Sequence, residues 1–166
     1  MIMSNEFKDW LADFTDEQRK NYDLCMKYPI LIPRSYWATE VEDDYMYEYT
    51  HLDQMPTGWR NAFGEQWAAD VQSVVNKMSP QEQERFAIVG VKEKFGYLNV
   101  YVNYYTEELV DVFKKYEQLS ARTCIKCGAP ATKITRGWID PFCNMCAQQL
   151  RCPTVSIEEW FTDGNN

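Results

Sequence analysis

Four cysteines constrain this chain more than anything else in it. Cys124 and Cys127 form one C-x2-C pair, Cys143 and Cys146 form a second, and fifteen residues separate the two. In a reducing compartment that spacing predicts a zinc site. Each pair lets a tight loop aim two thiolates at one ion, and two such loops complete the tetrahedron that zinc takes with sulfur. Four protein ligands leave no position for water, so the predicted ion is structural, not a Lewis acid. Gly128 follows the first pair and suits the left-handed position of a knuckle. The second pair has no such glycine and runs into the helix formers Ala147 to Arg151 before Pro153. The pattern predicts a treble-clef-like module, with a zinc ribbon as the alternative. Thiol redox chemistry competes, but one pair suffices for that and no βαβ context surrounds either.

Compartment and charge frame the rest. Residues 1–9 lack the basic and apolar regions of a signal peptide, and no apolar run reaches membrane-spanning length, so the expectation is a cytoplasmic protein with reduced cysteines. Cys25 is expected as a small buried hydrophobe and Cys152 as a spectator close enough to the site to test as a substitute ligand. The net charge of −8 is uneven: residues 1–119 hold 12 basic and 21 acidic side chains, whereas 121–152 set Arg122, Lys126, Lys133, Arg136 and Arg151 against Asp140 alone. Four thiolates on one Zn2+ leave that cluster at −2, so part of the basic excess neutralises the site.

Periodicity predicts an α+β fold, helices packed on a small antiparallel sheet. Phe7, Trp10, Leu11 and Phe14 make one short apolar stripe. Thr15 opens a second helix with Gln18 placed for a capping box, running to Tyr28 before Pro29, with Tyr22, Cys25, Met26 and Tyr28 expected to pack. After Gly58 the longest helical pattern carries Trp59, Phe63, Trp67, Val71, Val74, Val75 and Met78, the expected core helix. Ser79-Pro80-Gln81-Glu82 reads as a further helix start. Two β-rich runs, 86–91 and 97–105, predict a hairpin with Leu98, Val100 and Val102 inward and Tyr97, Asn99, Tyr101 and Asn103 outward. Thr106 caps a helix buried through Leu109, Val112, Phe113, Tyr116 and Leu119. The organisation read from this is an acidic body over 1–120, the cysteine module over 121–152 and a tail over 153–166 that docks in part.

One stretch stands out for its charge. From Ser35 to Trp59 there is no Lys or Arg, while Glu40, Glu42, Asp43, Asp44, Glu48 and Asp53 interleave with Trp37, Tyr45, Tyr47 and Tyr49. The alternation over 45–49 predicts a strand with three tyrosines on one face. Either that is an edge strand with a solvated acidic rim, or it is a docking surface whose aromatics anchor and whose carboxylates steer a basic partner.

The second half resembles a family of small zinc-binding accessory proteins of tailed bacteriophages and prophages. The shared blocks are Val91-Lys92-Glu93-Lys94-Phe95-Gly96-x-Leu98, Cys124-x-x-Cys127-Gly128-x-Pro130, Gly137-Trp138-Ile139 and Cys143-x-x-Cys146-Ala147. The chain departs from it at Tyr97 and Asn99, where such proteins carry glycine and arginine. The resemblance implies an accessory protein acting inside the bacterium and brings no activity with it.

Enzymatic motifs are missing. His51 is the one histidine, His51-Leu52-Asp53 lacks the H-x-E of a zinc deaminase, and no phosphate loop or nucleophile elbow occurs. The reading is a non-enzymatic effector holding one structural zinc. It binds and inhibits or redirects a host protein, such as a nucleic-acid-binding defence or transcription complex, through Trp37, Glu40, Glu42, Asp43, Asp44, Tyr45, Tyr47, Glu48 and Tyr49, an acidic surface mimicking nucleic acid. The alternative is nucleic-acid binding by the zinc module through Lys126, Lys133, Arg136, Trp138 and Arg151. A third is sequestration of a small anionic signalling molecule near Lys92 and Lys94.

Overall fold

The computed structural model describes residues 10–34, 41 and 43–164. Residues 10–12 are helical, and Trp10 meets Phe14 edge-on at 4.6 Å; Phe7 lies outside the described residues. Helix α1 (Asp16–Lys27) starts on the expected capping box: Thr15 Oγ1 accepts from Gln18 N and Gln18 Oε1 from Thr15 N, which satisfies two donors that the first turn leaves open. Cys25 and Tyr28 reach the core, but Met26 is half exposed because it falls on the solvent side of α1.

The core helix is not continuous α. It runs as α2 (Thr57–Trp59), a π turn (Arg60–Gly64) and α3 (Glu65–Val75). Side chains spaced strictly by four precess about 40° per step around a helix of 3.6 residues per turn. The wider π turn absorbs that drift, and Trp59, Phe63 and Trp67 all remain buried. Helix α4 (Pro80–Arg85) begins on the Ser79–Glu82 capping box.

Strands β1 (Ile88–Lys94) and β2 (Tyr97–Val102) pair antiparallel, with Lys94 opposite Tyr97. Lys92 and Lys94 therefore belong to β1, and the turn is Phe95-Gly96 alone. Both have positive φ, 53° and 80°, as the twist-matched two-residue hairpin turn requires. Leu98 and Val102 face the core and Tyr101 faces out, as the alternation predicts.

Helix α5 (Glu107–Ser120) lies across the hairpin and α3. Leu109 and Tyr116 are buried, and Asp70 of α3 accepts from both Lys115 Nζ and Tyr116 Oη at 2.7 Å. Leu119 is 41% exposed, against expectation. The last turn of α5 points Ser120 inward instead, where its Oγ accepts from Leu98 N at 2.8 Å and donates to Glu117 O.

The C-terminal region builds a second, three-stranded sheet of order β4-β3-β5 from β3 (Lys133–Thr135), β4 (Pro141–Phe142) and β5 (Thr154–Ser156). Helix α6 (Asn144–Gln148) follows β4, and α7 (Ile157–Thr162) follows β5. The segment expected to dock only in part thus supplies an edge strand and a helix. Ile157 is buried with Ala131 and Ile134, and the Arg122 guanidinium lies 4.6 Å from the Phe161 ring centre.

This region is seated directly on the body. Gly58 N donates to Ile125 O and Trp59 Nε1 to Thr123 O, both at 2.9 Å. A Cβ on Gly58 would stand 2.2 Å from Cys124 O, and one on Gly128 would stand 2.6 Å from Gly58 O. Two glycines thus let the backbone of the first cysteine loop lie against the start of the core helix. At the other end of the region, a Cβ on Gly96 would stand 3.1 Å from Ile139 O, so the hairpin tip touches the β3–β4 loop.

Candidate metal centre and its surroundings

The sulfurs of Cys124, Cys127, Cys143 and Cys146 all lie within 4.8 Å of one another. Local structure explains how. Cys124 N donates to Ala129 O and Gly128 N donates to Cys124 O, which closes a knuckle around Gly128 at φ 86°. The second pair sits at a helix start: Cys143 is the N-cap of α6 and Cys146 is one turn on, with Cys146 N donating to Cys143 Sγ. One knuckle plus one helical pair is the treble-clef-like arrangement read from the sequence. The cluster is a set of four thiols that could hold one metal ion, with no fifth candidate beside it among the described residues.

The shared site shifts its thiols in opposite directions. Burial pushes Cys124 up, yet backbone N–H groups at Cys143, Cys127 and Lys126 outweigh it and bring that thiol down to about 7. Cys146 is pushed up to about 12 by burial and by the neighbouring sulfurs. Four thiolates cannot ionise side by side without a cation among them. Cys152 is exposed and stands outside the cluster.

His51 is 3% exposed on a 3-10 turn (His51–Gln54) packed against β1. Burial lowers its pKa, and its Nδ1 lies 3.4 Å from Gln54 Oε1. It is a core histidine, remote from solvent.

The acidic stretch does not form the expected strand. Tyr47 takes a left-handed backbone, φ 59°, and the carbonyls a strand would pair are claimed by α1: Gln18 Nε2 donates to Met46 O at 3.0 Å and Asn21 Nδ2 to Tyr47 O at 2.8 Å. Tyr47 packs on Tyr22 at 5.1 Å and Tyr45 on Tyr47 at 4.9 Å, with Tyr45 Oη donating to Tyr49 O. Burial raises the phenol pKa of both Tyr45 and Tyr47. Two of the three tyrosines are therefore turned onto α1, while Asp43, Asp44, Glu48 and Tyr49 are exposed. Trp37, Glu40 and Glu42 lie outside the described residues.

The basic set of the metal module comes together in part. Arg136 and Trp138 occupy the β3–β4 loop, with the indole 73% exposed. That loop is held by Thr135, whose Oγ1 donates to Trp138 O and accepts from Asp140 N at 3.0 Å. Opposite it runs the segment Leu150 to Pro153, because Thr135 pairs with Thr154. Between them is an apolar hollow of about 360 Å³ lined by Arg136, Trp138, Phe142, Leu150 and Pro153 among others. Arg151 is exposed next to it in sequence. Lys126 donates to Gln149 Oε1 at 2.6 Å, and Lys133 is half-buried on β3. Asp140 lines the same hollow; burial, then the charge of Glu93, push its carboxyl up to about 6.

Sequence reading missed Phe95. It is 65% exposed at the hairpin tip with Lys94 Nζ 5.9 Å from its ring centre. The signal was the dipeptide itself, since an aromatic before glycine in a two-residue turn occupies a position that favours Asn or Asp.

Among the described residues no helix is long and apolar enough to cross a membrane. No protein-family model, no curated protein and no solved structure matches the chain.

Proposed function

We propose that the protein is a non-enzymatic nucleic-acid-binding accessory protein whose metal centre holds one structural zinc. Zinc fits the ligand set: Zn–S bonds of about 2.3 Å in a tetrahedron put sulfurs about 3.8 Å apart, and Cys127 Sγ lies 3.7 Å from Cys143 Sγ. Four sulfur ligands leave no position for a reacting water. The resemblance of the hairpin and cysteine blocks to phage accessory proteins supports a role in the cytoplasm of an infected bacterium.

One observation carries the binding reading. Trp138 stands mostly in solvent on a loop held by Thr135, with Arg136 beside it and an apolar hollow that both residues line. An indole held outward beside guanidinium groups supplies a stacking face and phosphate contacts, which together bind unpaired nucleotides. The chain's net charge of −8 opposes long-range attraction, so binding is local and short-footprint. Fluorescence anisotropy with a labelled oligonucleotide tests it. Trp138→Ala should weaken binding about tenfold, as loss of one stacked base does. With about three phosphate contacts on a single strand, log K should fall with log salt at a slope of about −2. Affinity indifferent to Trp138 and to salt would remove the proposal.

A second reading is favoured by one observation: among the described residues none of Asp43, Asp44 and Glu48 enters an ion pair, although all three are exposed. Solvated carboxylates with Tyr49 beside them suit a basic surface on a host protein. Reversing these three charges should abolish capture of a nuclease-resistant host partner; capture that survives the reversal sinks this reading.

A further inference from the structure

We infer that the tip of the β1–β2 hairpin is a second stacking platform of the same surface, so that single-stranded nucleic acid is gripped between two loops. This rests on the nucleic-acid reading and extends it to the other sheet.

Contact between the two loops is the first observation. Gly96 lies against Ile139, with 3.1 Å from its would-be Cβ to Ile139 O. Phe95 precedes Gly96 and Trp138 precedes Ile139, so each aromatic is one residue from the point where the loops touch. Both rings are mostly in solvent, 65% and 73% exposed.

The second observation is that Phe95 stands where the hairpin would do better without it. The turn demands positive φ at both central residues, and Asn, Asp or Gly are the residues that adopt it readily. Phe95 holds φ 53° with its ring unburied, so core packing does not repay the strain. The turn is nonetheless rigid, because Glu93 Oε1 accepts from Gly96 N at 2.8 Å. A strained, exposed, rigidly displayed aromatic is a feature of binding sites.

Charge identifies the occupant. Lys94 lies beside the Phe95 ring, and Lys92 projects from the same face of β1 two residues earlier; both are exposed. Tyr101 lies on that face too, with its ring edge 3.9 Å from the would-be Cβ of Gly90. Together with Arg136 beside Trp138, each exposed ring has an adjoining cation. Unpaired bases offer planar faces to such rings and phosphates to such cations, whereas a duplex hides its base faces in the stack.

The test uses the full chain loaded with zinc. Fluorescein-labelled oligothymidylate and oligouridylate of about 15 nucleotides, a length within known single-strand site sizes, and a duplex of equal length are titrated with wild type, Phe95→Asn and Trp138→Ala. Asn-Gly is a preferred pair for this turn, so Phe95→Asn should hold or raise Tm while weakening single-strand binding about tenfold. Preference for the thymidylate or the uridylate supports the inference equally and identifies DNA or RNA as the ligand. Single-strand affinity unchanged by Phe95→Asn but lost with Trp138→Ala overturns this inference and leaves the nucleic-acid reading standing. Duplex bound as tightly as single strands also overturns it. No binding of any of the three by wild type overturns both.

Discussion

Gly58→Ala separates two physical effects of opposite sign. In an ordinary helix the change favours the folded state by roughly 0.5–1 kcal/mol, because alanine loses less backbone freedom. Here the new Cβ would stand 2.2 Å from Cys124 O and 2.6 Å from the Ile125 carbonyl carbon and oxygen. These are backbone atoms of the metal knuckle and cannot rotate away. Restoring a normal contact requires the knuckle to retreat by about 1 Å, a displacement of the kind that overpacking costs about 1–3 kcal/mol to force. That retreat also stretches Gly58 N to Ile125 O and Trp59 Nε1 to Thr123 O, each 2.9 Å. A buried donor left without its partner costs about 1–3 kcal/mol. The expected result is a net loss of about 2–8 kcal/mol, since the clash and the two hydrogen bonds outweigh the helical gain. Urea unfolding followed by tryptophan fluorescence reads it, with zinc content measured on the same sample. Gly64→Ala is the control: its Cβ would meet side-chain atoms, Arg60 Cγ at 3.3 Å, Leu52 Cδ2 at 3.4 Å and Arg60 Cβ at 3.6 Å, and no backbone atom of the knuckle. That variant should stay within about 1 kcal/mol of wild type, as a tolerated helical Gly→Ala does. A Gly58→Ala protein more stable than wild type would refute the seating of the knuckle on the helix.

Three further outcomes follow from the metal centre and the hollow beside Trp138. Chelation should disorder the knuckle and, through Gly58 and Trp59, loosen the start of the core helix, seen as a red shift of tryptophan emission. Zinc rebinding should release protons and weaken as pH falls from about 8 to about 6, because the thiols must ionise to ligate. Asp140 has a folded pKa raised to about 6, so the folded state holds its proton more tightly than the unfolded chain. Stability from this group is therefore present below the ordinary carboxylate range and is lost as pH rises through about 6. Asp140→Asn should flatten that slope and raise Tm relative to wild type at neutral pH, by thermal melts across the pH range; a slope unchanged in the variant counts against it.

Much of the site was legible because its chemistry is local. The cysteine spacing, Gly128 and the helix formers after Cys146 pointed to the four-thiol cluster and the knuckle-plus-helix arrangement without any long-range information. The caps at Thr15, Ser79 and Thr106 are likewise local hydrogen-bond devices. What sequence pattern missed depended on partners far along the chain. The strand expected over 45–49 failed because Gln18 and Asn21 reach its carbonyls from a helix 26 to 28 residues earlier. Leu119 fits a helical stripe, but Ser120 is wanted inward by Leu98 N. The π turn answers the four-residue spacing of Trp59, Phe63 and Trp67, which a purely α-helical template does not register. Residues 154–156 became a strand only because β3 had an edge to offer them.

The contact between Gly58 and the knuckle also sets a timetable for synthesis. Trp59 finds its indole partner at Thr123, 64 positions later in the chain, and the knuckle is not closed by metal until Cys146 has left the ribosome. At translation rates of about 5–20 residues per second, that leaves the start of the core helix without its cover for roughly 5 to 15 seconds. During that interval an apolar helix carrying three large aromatic rings is open to chaperones and to self-association. On the proposal that the four thiols hold zinc, the cover closes only once the whole cysteine set is available to the ion, so metal supply to the nascent chain bears directly on that interval.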